Sequence, residues 1–414
     1  MGFADMEFTS PEELLKTALS YQADTSQFLR DLVRTPSVNG RDSEKRVAER
    51  ILAEARRLGL PAELAAKDPN RPNALVTLGN GEKGFALIGH MDTVAEGKHE
   101  DWQHPPFSAE VEGGLLFGRG AADNKAGIAC GLYTLAMLRD QQLLAMQNYR
   151  VTLAGVVDEE SGASSTLGVR YLLDSGRLKA AGAIYTYTSD IVCIGHRGLL
   201  RVEITTHGTS SHAGLSEWKT RRPGDNAVMG LAEILLELEK LQLPFDEYPG
   251  FEHLGSTITP GTLINGGDYP SIVPNKASAM VDIRLMPGQS ANDVLNRIDS
   301  VMDQVCQKRP GLRAEKNVTV NFPGAAIPQD HPLVTIAQDF TEVFTGRRWE
   351  SKGAGPGNEG YMLIGAGIPT LCGFGPTGGN PHAPDEWVEV DSLSTTIAIY
   401  TGIILKYLTQ MEEI

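Results

Sequence analysis

From Val151 to Val157 the chain is almost wholly apolar, and it then delivers three acids in succession, Asp158, Glu159 and Glu160. A run of this kind, without polar alternation, suits a strand covered on both faces, as inside an α/β sheet. A second strand-like run, residues 84–88, leads into Gly89-His90-Met91-Asp92. Open α/β sheets present ligand groups beyond the carboxyl ends of their strands, so two strands that both end in polar clusters predict one shared site. Abutting carboxylates at such an edge are costly to hold without a counter-charge, and a pair of metal ions would supply it.

The remaining periodicities fill in the architecture. Ser10-Pro11-Glu12-Glu13 opens a helical stretch over residues 10–34, and Asp42-Ser43-Glu44 opens another whose Val47, Ile51, Leu52, Ala55 and Leu58 share one face before Gly59. A strand is predicted at 73–78, and Gly118 to Lys125 leads into a small-residue helix at 126–138. From Gly198 the texture changes: 199–206 and 277–285 alternate as half-exposed strands, helices are predicted at 226–241 and 290–308, and Pro310-Gly311 closes the unit. A helix at 331–345, a strand at 368–374 and a last helix at 391–408 complete the chain. Its 414 residues exceed what one hydrophobic core usually fills. The expected fold is α/β, a larger mixed-sheet domain (1–199 and 310–414) interrupted by a smaller α+β domain (200–309).

Formal charge is −15, from 52 acidic and 37 basic residues, with the basic ones scattered. Nucleic acid and anionic membrane surfaces both need a positive footprint, so neither is an expected partner. The four cysteines are widely spaced and none forms a CxxC pair, which fits reduced thiols. The beginning of the chain has no leader pattern, and no stretch reaches the roughly 20 apolar residues of a membrane span. A cytoplasmic protein is expected.

His90 and Asp92 fall on one side of an extended segment, where Asp92 could orient the ring of a metal-binding His90. Asp123 enters a helix from a glycine-laced loop, as a helix cap or as a carboxylate spanning two metals. Glu159 and Glu160 point apart in an extended backbone, so one could ligate while the other faces substrate as a base. His382 follows two glycines and a proline, either at the surface or turned inward; His212 is a loop histidine or a donor to a developing oxyanion. Together these imidazoles and carboxylates suit zinc, cobalt or manganese.

The segments Gly89-His90-Met91-Asp92-Thr93-Val94, Gly118-Arg119-Gly120-Ala121-Ala122-Asp123-Asn124-Lys125, Asp158-Glu159-Glu160-Ser161-Gly162, Gly208-Thr209-Ser210-Ser211-His212-Ala213-Gly214 and Val281-Asp282-Ile283-Arg284, with His382 in its glycine-rich loop, occur in family order. In them the chain resembles the M20 family of metal-dependent aminoacylases and exopeptidases, which includes acetylornithine deacetylase, succinyl-diaminopimelate desuccinylase and carboxypeptidase G2. The resemblance implies a ferredoxin-like lid and dimerisation domain, and two divalent ions, zinc first and cobalt or manganese as alternatives. His90, Asp123, Glu160 and His382 would hold them, with Asp123 shared and Asp92 supporting His90. Glu159 would be the general base, His212 would stabilise the oxyanion and reach the partner's site in a homodimer, and Arg284 would hold the substrate carboxylate.

Two positions depart from the family pattern. The family has a glutamate upstream of Gly195-His196-Arg197-Gly198, where this chain reads Ala183-Ile184-Tyr185-Thr186-Tyr187-Thr188-Ser189-Asp190; Asp190, or a Tyr or Thr oxygen, would stand in as ligand. Ser271 occupies a position where the family commonly has Asn, which bears on substrate contacts. The implied reaction is amide hydrolysis of an N-acyl amino acid of the acetylornithine type, with a dipeptidase or carboxypeptidase as the alternative and a noncatalytic binding protein as a third reading. Tyr187, Trp218 and Trp349 could line the pocket or serve in packing.

Overall fold

A computed structural model describes residues 10–143, 148–215 and 226–410. Contacts divide it into a larger unit, which runs to Gly195 and resumes over Ala326–Ala354 and from Asn358 onward, and a smaller unit, His196–Ala325 with Gly355–Gly357. A mixed α/β domain therefore carries a smaller accessory domain within its sequence.

The larger unit is built on strands β1 (Ala62–Ala65), β2 (Asn73–Gly79), β3 (Lys83–His90), β4 (Tyr149–Val156) and β5 (Gly182–Tyr185). The sheet order is β1-β2-β4-β3-β5, ended by Thr370–Leu371. β2 runs antiparallel to β1 and β4, whereas β4, β3, β5 and the last strand are parallel. Register sets His90 opposite Val156, so β3 and β4 finish side by side and their polar sequels emerge at one edge.

Helices α1 (Pro11–Ser20), α2 (Gln22–Val33), α3 (Lys45–Arg57) and α4 (Ala126–Asp140) belong to this unit. The expected single stretch 10–34 is two helices. α1 begins with a capping box between Ser10 and Glu13 and ends at Tyr21, whose N–H turns back to the carbonyls of Ala18 and Leu19. α4 is buried at every position from Ala126 to Leu138, as a helix covered on all sides must be. At Gly127 a Cβ would lie 1.9 Å from the Thr186 carbonyl oxygen, so only glycine lets α4 start against the chain leaving β5.

The smaller unit runs β6 (Gly198–His207), α5 (Ala227–Glu239), β7 (Thr257–Gly266), β8 (Lys276–Leu285), α6 (Ala291–Lys308) and β9 (Arg313–Phe322). Its sheet order is β7-β8-β6-β9, with each neighbour antiparallel. The inward side chains of β6 and β8, among them Val202, Ile204, Val281 and Ile283, share a core with Leu231 and Ile234 of α5 and Ile298 of α6. The expected boundary after residue 309 falls before β9. Contacts carry the smaller unit on to Ala325 because Arg313–Phe322 pairs along β6. Among the described residues no helix is long and apolar enough to cross a membrane.

Candidate metal centre

β3 ends at His90, whose ring is fully buried. Its Nδ1 lies 2.9 Å from the Asp92 carbonyl oxygen and 3.6 Å from Asp92 Oδ1, and its Nε2 lies 2.8 Å from Asp123 Oδ1. Asp92 is also buried and acts as a hub. Its Oδ2 accepts from Asn39 Nδ2 at 2.7 Å and from the Glu160 N–H at 3.0 Å, and its Oδ1 accepts from the Glu159 N–H at 3.3 Å. Burial opposes its ionisation, but His90, Asn39 and the Glu160 N–H outweigh it and hold the carboxyl below the ordinary range. The same residue thus steadies the imidazole and the acidic turn after β4.

That turn is bent at Asp158, which has φ 67°. Arg71 Nη1 donates to Asp158 Oδ1 at 2.9 Å, and Asn39 Nδ2 donates to the same oxygen at 3.0 Å. Glu159 and Glu160 follow, pointed into the cluster. Burial pushes the Glu159 carboxyl well above the usual carboxylate range; the charges of Glu160, Asp123 and Glu359 add to that, against the pull of His90.

Asp123 connects the parts. Its Oδ1 faces His90, and its Oδ2 lies 3.3 Å from His382 Nε2, so one carboxylate stands between two imidazoles. Its side chain makes no helix cap. His382 Nε2 lies 3.1 Å from Glu160 Oε1, and the residue has φ 62° in a turn where Asn380 and Asp385 also have positive φ. That left-handed turn aims the ring inward from a loop. Its two carboxylate neighbours raise the His382 pKa to about 10, so a cation binding there displaces a proton.

Among the described residues, two groups of side chains have ligand atoms within 4.8 Å of one another: His90, Glu159 and Glu160, and Asp123, Glu160 and His382. Carboxylate oxygens and imidazole nitrogens without sulfur fit two divalent ions of the zinc, cobalt and manganese kind. Asp190 does not join them. It is exposed, its carbonyl accepts from Arg347 Nη2 at 3.2 Å, and Ser189 Oγ closes the turn by donating to the Ile191 carbonyl at 2.7 Å. The oxygen that reaches His90 from this stretch belongs to Tyr187, whose hydroxyl lies 3.1 Å from His90 Nε2.

The other expected site residues lie in the smaller unit. His212 is exposed on a two-residue strand whose partner is Ile272–Val273, and the Ala213 N–H donates to the Ser271 carbonyl at 2.8 Å, which makes His212 and Ser271 neighbours. Arg284 Nε donates to Asp282 Oδ1 at 2.7 Å beside Arg201. Trp349 is buried against Phe374 and serves packing, and Trp218 lies outside the described residues.

Sequence reasoning passed over two buried acids near the cluster. Glu359 accepts from the Tyr185 hydroxyl at 3.2 Å, and burial raises its pKa to about 8. Glu386 accepts from Arg119 Nη1 at 2.6 Å and from three backbone N–H groups of the Asp123 loop. Glu359 stands in a glycine-rich loop and Glu386 directly follows Asp385, and no local pattern distinguishes either from a solvated acid.

The sequence model of peptidase family M20/M25/M40 matches residues 86–406, more than half of the chain. An uncharacterized protein, YgeY, of Escherichia coli K12 is 29% identical over 95% of this chain and 97% of its own length. A succinyl-diaminopimelate desuccinylase of Acidiphilium cryptum is 28% identical over 92% and 98%. The fold is similar to an M20 family metallo-carboxypeptidase from Sulfolobus solfataricus (TM-score 0.74, 20% identity, 93% of this chain and 99% of that one). It is also similar to a tripeptidase from Staphylococcus aureus (TM-score 0.75, 20% identity, 94% and 99%). With the family match spanning both ligand groups and the strands that deliver them, the chain belongs to peptidase family M20/M25/M40 and is a metal-dependent hydrolase of amino-acid derivatives.

Proposed function

We propose that this hydrolase cleaves the amide bond of an N-acyl amino acid, as an acetylornithine deacetylase does. The observation that carries the reading is the Asp123 carboxylate standing between His90 and His382, with buried Glu159 and half-buried Glu160 beside it. His90, Asp123, Glu160 and His382 would hold the two ions, zinc first and cobalt or manganese as alternatives. Bound there, they would polarise the scissile carbonyl and make water easier to deprotonate. Glu159 takes the proton from the attacking water and returns it to the leaving nitrogen. Asp92 keeps the His90 ring in place, His212 donates to the oxygen that gains negative charge, and Arg284 offers its planar fork to the substrate carboxylate, with Ser271 as a further polar contact. Asp190 has no part in this arrangement.

The desuccinylase likeness supports N-acyl hydrolysis, and the solved carboxypeptidase and tripeptidase motivate the second reading, in which the amide is a peptide bond. A panel of N-acetyl, N-succinyl and dipeptide substrates, assayed with zinc, cobalt and manganese, decides between them. Turnover of an N-acetylated basic amino acid is expected to exceed that of dipeptides, and chelation is expected to abolish both. Cleavage of peptides alone would replace the first reading with the second, and hydrolysis that survives complete metal removal would end both.

We further propose that the smaller unit is a ferredoxin-like lid and dimerisation domain, and that the enzyme is a cytoplasmic homodimer. Support comes from its β-α-β-β-α-β order and from exposed apolar side chains at one edge. Met229 and Leu236 of α5 are 52% and 57% exposed, and Leu263 and Ile264 of edge strand β7 are 65% and 62% exposed. An edge strand with such side chains is a template for pairing with a second copy. Light scattering is expected to give twice the chain mass, and replacement of Leu263 and Ile264 with lysine is expected to give monomer with reduced turnover. A monomer already active without those changes would remove the dimer from the mechanism.

A further inference from the structure

Glu386 lies four residues after His382 and is fully buried. Its Oε1 accepts from the N–H groups of Ala122 and Asp123, both at 2.9 Å. Its Oε2 accepts from the Gly120 N–H at 3.0 Å and from Arg119 Nη1 at 2.6 Å. All four donors come from the five-residue stretch that ends at Asp123, while the Glu386 carbonyl accepts from the Gly118 N–H at 2.8 Å. Arg119 is itself buried, its guanidinium carbon 5.2 Å from the centroid of the Trp102 ring. On the far side, the neighbouring Asp385 carboxylate accepts from the N–H groups of Gln103 and His104 at 3.1 and 2.9 Å. The turn that carries His382 and the loop that carries Asp123 are therefore fastened to each other by the Glu386 side chain, next to the backbone pairing of Gly118 with Glu386 and of Phe117 with Trp387.

The geometry points to Glu386, charge-balanced by Arg119, as a positioning residue that fixes the Asp123 carboxylate between His90 and His382 without touching substrate or metal. This rests on the reading that those side chains hold the divalent ions. Four donors converge on the two oxygens, so the carboxylate is the one side-chain group of this length that can satisfy them all. A glutamine in its place keeps one acceptor oxygen and turns an NH2 group toward N–H donors. Arg119 then loses its buried counter-charge. The peptide plane at Asp123 is set by one of the broken bonds, so the carboxylate it bears moves relative to both imidazoles.

The test uses full-length protein loaded with cobalt, comparing the unsubstituted chain with Glu386→Gln and Glu386→Asp. Cobalt affinity is read by chelator competition, site geometry by the visible absorption of the bound ion, and catalysis by kcat and KM. Glu386→Gln is expected to lower metal affinity or kcat by about 10- to 100-fold, the usual effect of losing a group that orients a ligand. KM is expected to change little, the cobalt spectrum to shift, and Glu386→Asp to recover part of each effect because it keeps the charge. A folded Glu386→Gln protein with unchanged affinity and spectrum overturns the proposal. Should that variant fail to fold, Glu386→Asp decides: an altered spectrum supports a positioning role, and an identical spectrum with identical affinity overturns it. An unsubstituted chain that takes up no cobalt overturns the functional reading together with this one.

Discussion

Glu159→Ala is expected to lower turnover by about 10²–10⁴-fold from the lost proton transfer alone, and to leave metal content close to that of the unsubstituted protein. The separation of the two effects follows from how the neighbouring side chains are held. His90 is braced by Asp92, and the Asp123 loop by Glu386; His382 is presented by its left-handed turn, and none of these contacts uses the Glu159 side chain. What the substitution removes is a 6% exposed carboxyl whose proton affinity burial has raised. A base acts only when ionised, so activity should fall as pH drops through the pKa of Glu159, which burial moves upward and bound cations move down. The acid limb of the kcat/KM profile should therefore change in the variant along with the rate. Turnover and metal content both unchanged would mean that another group moves the proton.

The strands that position this site were readable because their neighbours bury them on both faces. The runs at 84–88 and 151–157 contain almost nothing but apolar side chains, and the sheet places them as adjacent parallel strands. β9 was passed over for a different reason. Arg313–Phe322 alternates, with Ala314, Val318, Val320 and Phe322 against polar neighbours, but Lys316 interrupts the apolar set and Pro310-Gly311 before it resembles the end of a unit. Pro260-Gly261 similarly hides β7, where the pairing register shifts to accommodate it. At the site, His90, Asp123, Glu159, Glu160 and His382 stood out through short motifs in a recognised order, and the folded chain brings the five together. Asp190 failed because a carboxylate near the right place in sequence says nothing about which way its loop turns; Tyr187, three residues earlier, follows β5 directly and so faces His90. Glu359 and Glu386 could not be told from the other acids among 52 until the fold showed which were buried.

Asp123→Ala is expected to affect binding most, removing at least one of the two ions and bringing turnover to background. The carboxylate supplies an oxygen to each of two histidines, 2.8 Å from one and 3.3 Å from the other, and neither ring meets a different carboxylate oxygen that could serve both. Without it the second group retains Glu160 and His382, two ligands where a stable zinc site wants three or four. Collapse of the fold is not the expected cause, since Glu386 grips the loop through the N–H groups of Gly120, Ala122 and Asp123, which alanine leaves in place. The metal-free variant does lose the pairing with His382 and His90 that holds the Asp123 carboxyl below the usual range, and the relief of its repulsion with Glu159 offsets only part of that. The melting temperature of the metal-free variant should then fall somewhat below that of the metal-free unsubstituted chain with its transition still cooperative, while the stabilisation that added zinc gives the latter is largely lost. Metal analysis after dialysis, read beside the two melting curves, distinguishes a missing ligand from a damaged fold. A variant that kept two ions and full turnover would show that Asp123 is not the shared ligand.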